Sequence, residues 1–283
     1  MKSFIFFELS VLAIFLVTLW HSARRQAYHK TEFWVAFCYA LLFEELDIRF
    51  FKTYHYGDGY SLVIGNVPIV IALAWAIIIY TSMQISDCYP LDDYARPFFD
   101  ALTAVLIDLS VDTIAIRLGY WQWNIPMNQG WFGVPAGNLY AWMFVVFFFS
   151  LFCRVTRVLY NKNKMWLLLL GVVPILSYAA LFISIVVTGT VNVYLGLDEN
   201  MKLLTFLGIV ILFASPCIIS FIKRRDHFPA SIHPVIYFVR LCLHSFFLIE
   251  LLINGLFVSM PVLLVISLSA LSIEVLIHRE IRI

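Results

Sequence analysis

Two aspartates, Asp108 and Asp112, stand in the run DLSVDTIAIRLGYWQW, which otherwise reads as a membrane-crossing helix. A spacing of four residues puts both carboxyls on one side of that helix. An ionised acid at such a depth costs at least about 2.5 kcal/mol on insertion scales, so each must find a partner or keep its proton. Two acids facing one cavity tend to share a proton, and a neutral carboxylic acid in an oily pocket is a usable proton donor. A second apolar run ends in FEELDIRF and brings Glu44, Glu45 and Asp47 to a similar level. Plain ion pairing is the alternative: Glu45 and Arg49 have the i, i+4 spacing of a helix-end pair, and Arg117 and Arg240 are candidate neutralisers of Asp112.

The acids are followed by GYWQWNIPMNQGWFGVPAGN, a loop with three tryptophans, two prolines and four glycines. Rings at this level can form an interfacial belt. Their clustering, and the turn chemistry at Gly133, Pro135 and Gly137, predict instead a segment folded back over the acids with its rings inward. Such rings can stabilise a carbocation through their negative faces. Other polar residues are weaker candidates. His244 and Glu250 are six apart and share no tight face, and His55 lies in the loop TYHYGDG. No paired-histidine metal box, G-x-S-x-G elbow, dinucleotide fingerprint or P-loop occurs, and the five cysteines form neither a C-x-x-C pair nor a disulfide framework, so no metal is expected.

The elements that must position these residues are membrane helices. The chain has 283 residues, 62% hydrophobic and 13% charged, more apolar than a soluble domain can bury. Its formal charge of +1 offers no field for nucleic acid, and membrane lipid is the expected surrounding. Apolar runs of the length needed to cross about 30 Å of hydrocarbon begin near Phe4, Phe33, Ser61, Phe98, Gly137, Trp166, Met201, His233 and Leu256, the last two meeting at an Asn254-Gly255 break. The expected fold is therefore all-α, a polytopic bundle of about nine transmembrane helices. Thirteen of the nineteen Lys and Arg fall in alternate connections, among them Arg24, Arg25, Arg154, Arg157, Arg225 and Arg282, which predicts an outside N-terminus and a cytoplasmic C-terminus. With no low-complexity linker and no repeat, residues 1–283 read as a single domain.

The central run, an Asp-Leu-x-x-Asp helix, then Gly-x-Trp-x-Trp, then an aromatic-Gly-Val-Pro-x-x-Asn loop, resembles the carotenoid biosynthesis membrane proteins that include the carotenoid 1,2-hydratases of the gamma-carotene, lycopene and bisanhydrobacterioruberin type. It is carried by Asp108, Asp112, Gly119, Trp121, Trp123, Gly133, Val134, Pro135, Asn138 and Trp142, with Tyr54, Tyr56, Pro68, Trp75 and Tyr80 upstream, over roughly residues 40–145. The resemblance implies a hydratase that adds water across the terminal trisubstituted double bond of an acyclic carotenoid and needs no cofactor. Asp108, Asp112, Glu44 and Glu45 are then the candidate catalytic acids, in roles left open, and Tyr54, Tyr56, Trp75, Tyr120, Trp121, Trp123, Trp131 and Asn138 the candidate substrate-binding residues. The partners implied are a lipophilic polyene drawn from the bilayer and other enzymes of the same pathway, at a prokaryotic inner or plasma membrane. The rival class is a proton-coupled transporter or channel, which predicts broken helices and a polar path to both faces.

Overall fold

The structure is a computed structural model and describes residues 2–224 and 230–279, so Arg225 and Arg282 of the charge pattern lie outside the described residues. Helices α1 (Lys2–Ala23), α2 (Ala27–Phe51), α3 (Ile69–Cys88), α4 (Arg96–Leu118), α5 (Ala136–Lys162), α6 (Val173–Tyr194), α7 (Lys202–Lys223), α8 (Pro234–Ile253) and α10 (Pro261–Arg279) are long, and α9 (Leu256–Ser259) is a single turn. Seven are long and apolar enough to cross a membrane, and the two long helices that fail on charge, α2 and α4, are the ones that carry the acids. The protein is an all-α membrane helical bundle.

Burial sorts the helices by role. α3 is apolar around its circumference and sits at the centre with 83% of its span buried, whereas α7 has only 17% buried and turns Leu207, Ile211 and Ile218 outward, as a helix bathed in lipid does. α4 runs beside α3 and packs against α5, α7, α8 and α10, so its acids are enclosed on every side. Proline marks the first turns of α4, α6, α8 and α10, where its missing N–H costs no helix bond.

Four boundaries differ from the sequence expectation, the first being the second span, which begins at Ala27 rather than near Phe33. The third span begins at Ile69 rather than near Ser61, because Gly65 and Asn66 turn the chain between strands β2 (Val63–Ile64) and β3 (Val67–Pro68). The sixth begins at Val173 rather than near Trp166, since Lys164–Gly171 winds as a 3-10 segment ahead of Pro174. The last run is divided as the Asn254-Gly255 pair predicts, with Gly255 at φ +66° and α10 starting only at Pro261. A further element was not expected at all: β1 (Tyr54–Tyr56) and β4 (Trp121–Trp123) form an antiparallel ribbon that pairs Tyr54 with Trp123 and Tyr56 with Trp121. In a strand, alternate side chains share a face, so all four rings lie on one side, with His55 and Gln122 on the other.

The connections gather at two ends. At one, Glu8 of α1 accepts from Ser61, Lys52 accepts from Asn124, Asn200 accepts from Gly130, and Arg117 meets Met260. At the other, Arg154 and Arg157 tie α5 to Asp87, Asp100 and Glu32, and Arg224 reaches Asp92. The second end is the one on which the sequence concentrates its basic residues.

Candidate active site

Above α2, α3, α4 and α5, under the β1/β4 ribbon, lies a cavity of about 290 Å³. Glu44 and Asp47 reach it from the last turns of α2, Asp112 from α4, Asn138 from the first turn of α5, and Trp75 and Trp142 from α3 and α5. Tyr54, Tyr56, Trp121 and Trp123 close it from the ribbon, and Lys202 and Glu199, paired at 2.5 Å, sit on its margin at the start of α7.

Glu44 is held by three donors. Its Oε2 accepts from the hydroxyls of Tyr54 and Tyr56, the latter at 2.6 Å, and its Oε1 accepts from the Trp75 indole at 2.6 Å. Three donors from two elements thus converge on the two oxygens of one carboxyl. The other acids are arranged differently. Asn138 Nδ2 donates to Asp112 Oδ2 at 2.5 Å and to Asp108 Oδ2 at 3.1 Å, and the two carboxyls lie within hydrogen-bonding contact of each other. Two carboxyls hydrogen-bond only when one of them carries a proton. Asp108 Oδ1 is buried and has no hydrogen-bond partner among the described residues. Asp108 is fully buried behind Asp112 and does not itself line the cavity.

Glu199 apart, the acids at the cavity lack a cation partner among the described residues. Among the described residues no Lys, Arg or His comes within salt-bridge distance of Glu44, Asp47, Asp108 or Asp112. Arg117 instead donates to the carbonyls of Thr113 and Phe132, and Arg240 is committed to Glu274, Ser82 and the Thr103 carbonyl. At the basic end the pattern reverses: Asp87, Asp100 and Glu32 are each held by arginine at 2.6 to 3.2 Å.

The remaining sequence candidates have other places. Glu45 points toward the β2/β3 turn, where it accepts from Arg49 at 2.5 Å and from the Asn66 backbone at 2.7 Å, which is the ion-pair alternative plus a clamp on the turn. Tyr120 is buried beside the ribbon, stacked on Phe7 at 4.9 Å. Trp131 donates its indole N–H to the Leu109 carbonyl and turns away from the cavity. His244 and Glu250 part company as their spacing predicts, His244 facing Glu274 and Glu250 accepting from Asn254.

Two cavity residues were missing from the candidates although their spacing was informative. Asp47 lies three residues after Glu44 and Trp142 four after Asn138, so each shares a helix face with a residue already chosen. Trp142 packs on Trp75 with ring centroids 4.0 Å apart. The contribution of α6 and α7, through Ile185, Glu199 and Lys202, had no local signal.

No curated protein and no solved structure matches the chain. A family model described as carotenoid biosynthesis protein matches residues 3–213, which extends well beyond the motifs of residues 40–145 and takes in every residue of the cavity. Acids without cations beneath four rings thus occur in a chain that belongs to the carotenoid biosynthesis protein family.

Proposed function

We propose that the protein is a cofactor-independent hydratase of acyclic carotenoid ends, adding water across the terminal trisubstituted double bond. The observation that carries this reading is the pair of unlike carboxyl groupings in one aromatic cavity: a proton-sharing Asp108/Asp112 pair with Asn138, and a Glu44 carboxylate held by three donors.

The Asp108/Asp112 pair delivers a proton through Asp112 to the less substituted alkene carbon, leaving the positive charge on the tertiary carbon. Trp75, Trp121, Trp123 and Trp142 present π faces to that cation, and the Glu44 charge opposes it across a medium with little water to screen it. Water from the cavity then attacks the tertiary carbon. The protonated alcohol so formed is a strong acid, so even a carboxylate weakened as a base by three hydrogen bonds takes its proton. Exchange through cavity water returns a proton to the aspartate pair, and the net change is one water added.

The test is isotopic. In water labelled with heavy oxygen the product carries the label as a tertiary alcohol, and in deuterated water one deuterium enters the adjacent carbon. An alcohol oxygen derived from dioxygen would overturn the proposal.

A further inference from the structure

The tryptophan wall of the cavity has a second side. Behind Trp75, Trp121, Trp142 and Ile71 lies a smaller pocket of about 60 Å³, enclosed by α1, α3, α4 and α8. Those four residues line both spaces, so the two are separated only by side chains, chiefly the Trp75–Trp142 pair. The linings differ in chemistry. The main cavity carries the acids and ends at Lys202 and Glu199, whereas the smaller pocket is lined by apolar residues with the single exception of Ser10.

The pocket also runs in one direction. It extends from Phe7 to Ile14 on α1 and from Ile71 to Ile78 on α3, seven residues in each case, or about 10 Å along the helix axis. Phe7 packs near the ribbon end through Tyr60 and Tyr120, so Ile14, Ile78 and Ile107 are the deeper residues. On its outer side, α1 and α8 show Leu9 and Ile249 to the surroundings, and Phe6 stacks on Phe246 across the seam between them.

We infer that this pocket receives the hydrocarbon chain of the substrate next to its reacting end, with Trp75 and Trp142 as the partition that yields to admit it. The inference rests on the hydratase reading for the identity of the substrate. The main cavity is of a size for the end of a polyene and not for its length. A chain whose end lies beside Asp112 must leave the site somewhere. The polar margin at Lys202 and Glu199 is closed to it by desolvation cost, and the apolar pocket, which only the α1–α8 seam with its Phe6–Phe246 stack separates from lipid, is the remaining way out. The substrate therefore enters from lipid between α1 and α8, water enters from the opposite margin, and the new hydroxyl remains at the aqueous side.

Ala74 and Ser10 line the smaller pocket and not the main cavity, so Ala74→Phe and Ser10→Phe fill the one and spare the other from two different helices. Hydration of a full-length acyclic carotenoid and of a short isoprenoid with the same terminal double bond is compared in the full chain. Each filling variant is expected to lose about tenfold on the long substrate while turning over the short one within about twofold of wild type. Equal loss on both substrates, or loss on neither, overturns the inference. A readout free of turnover is quenching of tryptophan fluorescence by an added polyene: weakened by Ala74→Phe and Ser10→Phe and kept by Asp112→Asn. If wild-type protein hydrates neither substrate, the hydratase reading fails while the quenching series still decides the pocket. Quenching indifferent to both filling variants assigns the pocket to ordinary lipid chains and overturns the inference.

Discussion

Replacing Glu44 by glutamine separates chemistry from packing more cleanly than any other change in the cavity. Glu44 is 5% exposed and accepts from Tyr54, Tyr56 and Trp75. Glutamine offers one acceptor oxygen where glutamate has two, so with its oxygen on the indole its NH2 can meet the phenols only as acceptors and leaves their O–H groups without a partner, and a buried donor left unsatisfied costs about 1–3 kcal/mol. The retained bonds also lose their charge assistance, from about 1.5–3 to about 0.5–1.5 kcal/mol each. Against these stands a gain: a neutral amide escapes the effective penalty of several kcal/mol, roughly, for burying an ion. The structural terms oppose each other, and Glu44→Gln is expected to melt within a few degrees of wild type, about the width of a 1 kcal/mol change. The chemical term has no counterweight, because an amide neither takes the proton from the nascent alcohol nor faces the cation with a charge. The expected loss is about 10²- to 10⁴-fold in turnover. Melting in detergent and conversion of the polyene to its tertiary alcohol measure the two quantities on one preparation. Turnover within about tenfold of wild type in a folded Glu44→Gln protein would show that the carboxylate is only scaffolding for the ribbon, and the assignment of the base would be wrong.

Further outcomes follow from the same geometry. Asp112→Asn, which keeps the shape beside Asn138 but removes the donor, is expected to accumulate unhydrated polyene at about 10²- to 10⁴-fold lower turnover, and Asp108→Asn to fall in the same direction by removing the shared proton. Gly133 has φ +91°, and a Cβ there would meet Met127 Sδ at 3.0 Å and Ile116 Cδ1 at 3.1 Å, so Gly133→Ala should cost about 1–2 kcal/mol from the backbone alone, read as a lowered melting temperature. Arg154→Met strands Asp100 without its cation, leaves Asp87 to Arg157 and Arg96, and is expected to cost about 3–5 kcal/mol, read as loss of folded protein rather than loss of rate per folded molecule. Reporters fused after Arg25 and Arg157 should be cytoplasmic and one after Gly196 outside; an outside signal at Arg157 would reverse the predicted orientation and with it the membrane face toward which the cavity lies.

How far the sequence could be read depended on whether the signal was periodic or tertiary. Helix boundaries were legible at some Pro and Gly marks, as at Pro234 and Gly255, and misplaced at others, as at Pro174 and Pro261, while the acids stood out because few residues in this chain are charged. The cage around Glu44 was only half legible. Tyr54, Tyr56 and Trp75 were each named, but nothing local says that three side chains from β1 and α3 converge on one carboxylate of α2. The ribbon was missed because each strand is a triplet, too short for periodicity to register, although Tyr-His-Tyr and Trp-Gln-Trp both alternate ring and polar side chain. Glu45, one position past Glu44, faces another side of α2, and Trp131, in the connection before α5, turns its indole to the Leu109 carbonyl, a contact that nothing local announces.

The ribbon also explains how two carboxyl groupings on separate helices keep a fixed relation. β1 follows α2, and its tyrosines hold Glu44. β4 follows α4, and its tryptophans flank Asp112. Cross-strand pairing is extended by Asn124 N–H donating to Thr53 and Gly57 N–H donating to Tyr120, so the backbone at this depth is satisfied within the protein, as non-helical chain in a membrane must be. Register is what carries the consequence. A slip of one residue in either strand would exchange its two faces, turning Tyr54 and Tyr56 away from Glu44 or bringing Gln122 over Asp112 in place of the indoles. The side-chain bonds to Glu44 and the ladder therefore specify each other: the carboxylate needs the phenols on one face, and the phenols stay there only while Tyr54 faces Trp123 and Tyr56 faces Trp121. The distance between the two carboxyl groupings is thus set by a short stretch of backbone as well as by the two long helices that carry them.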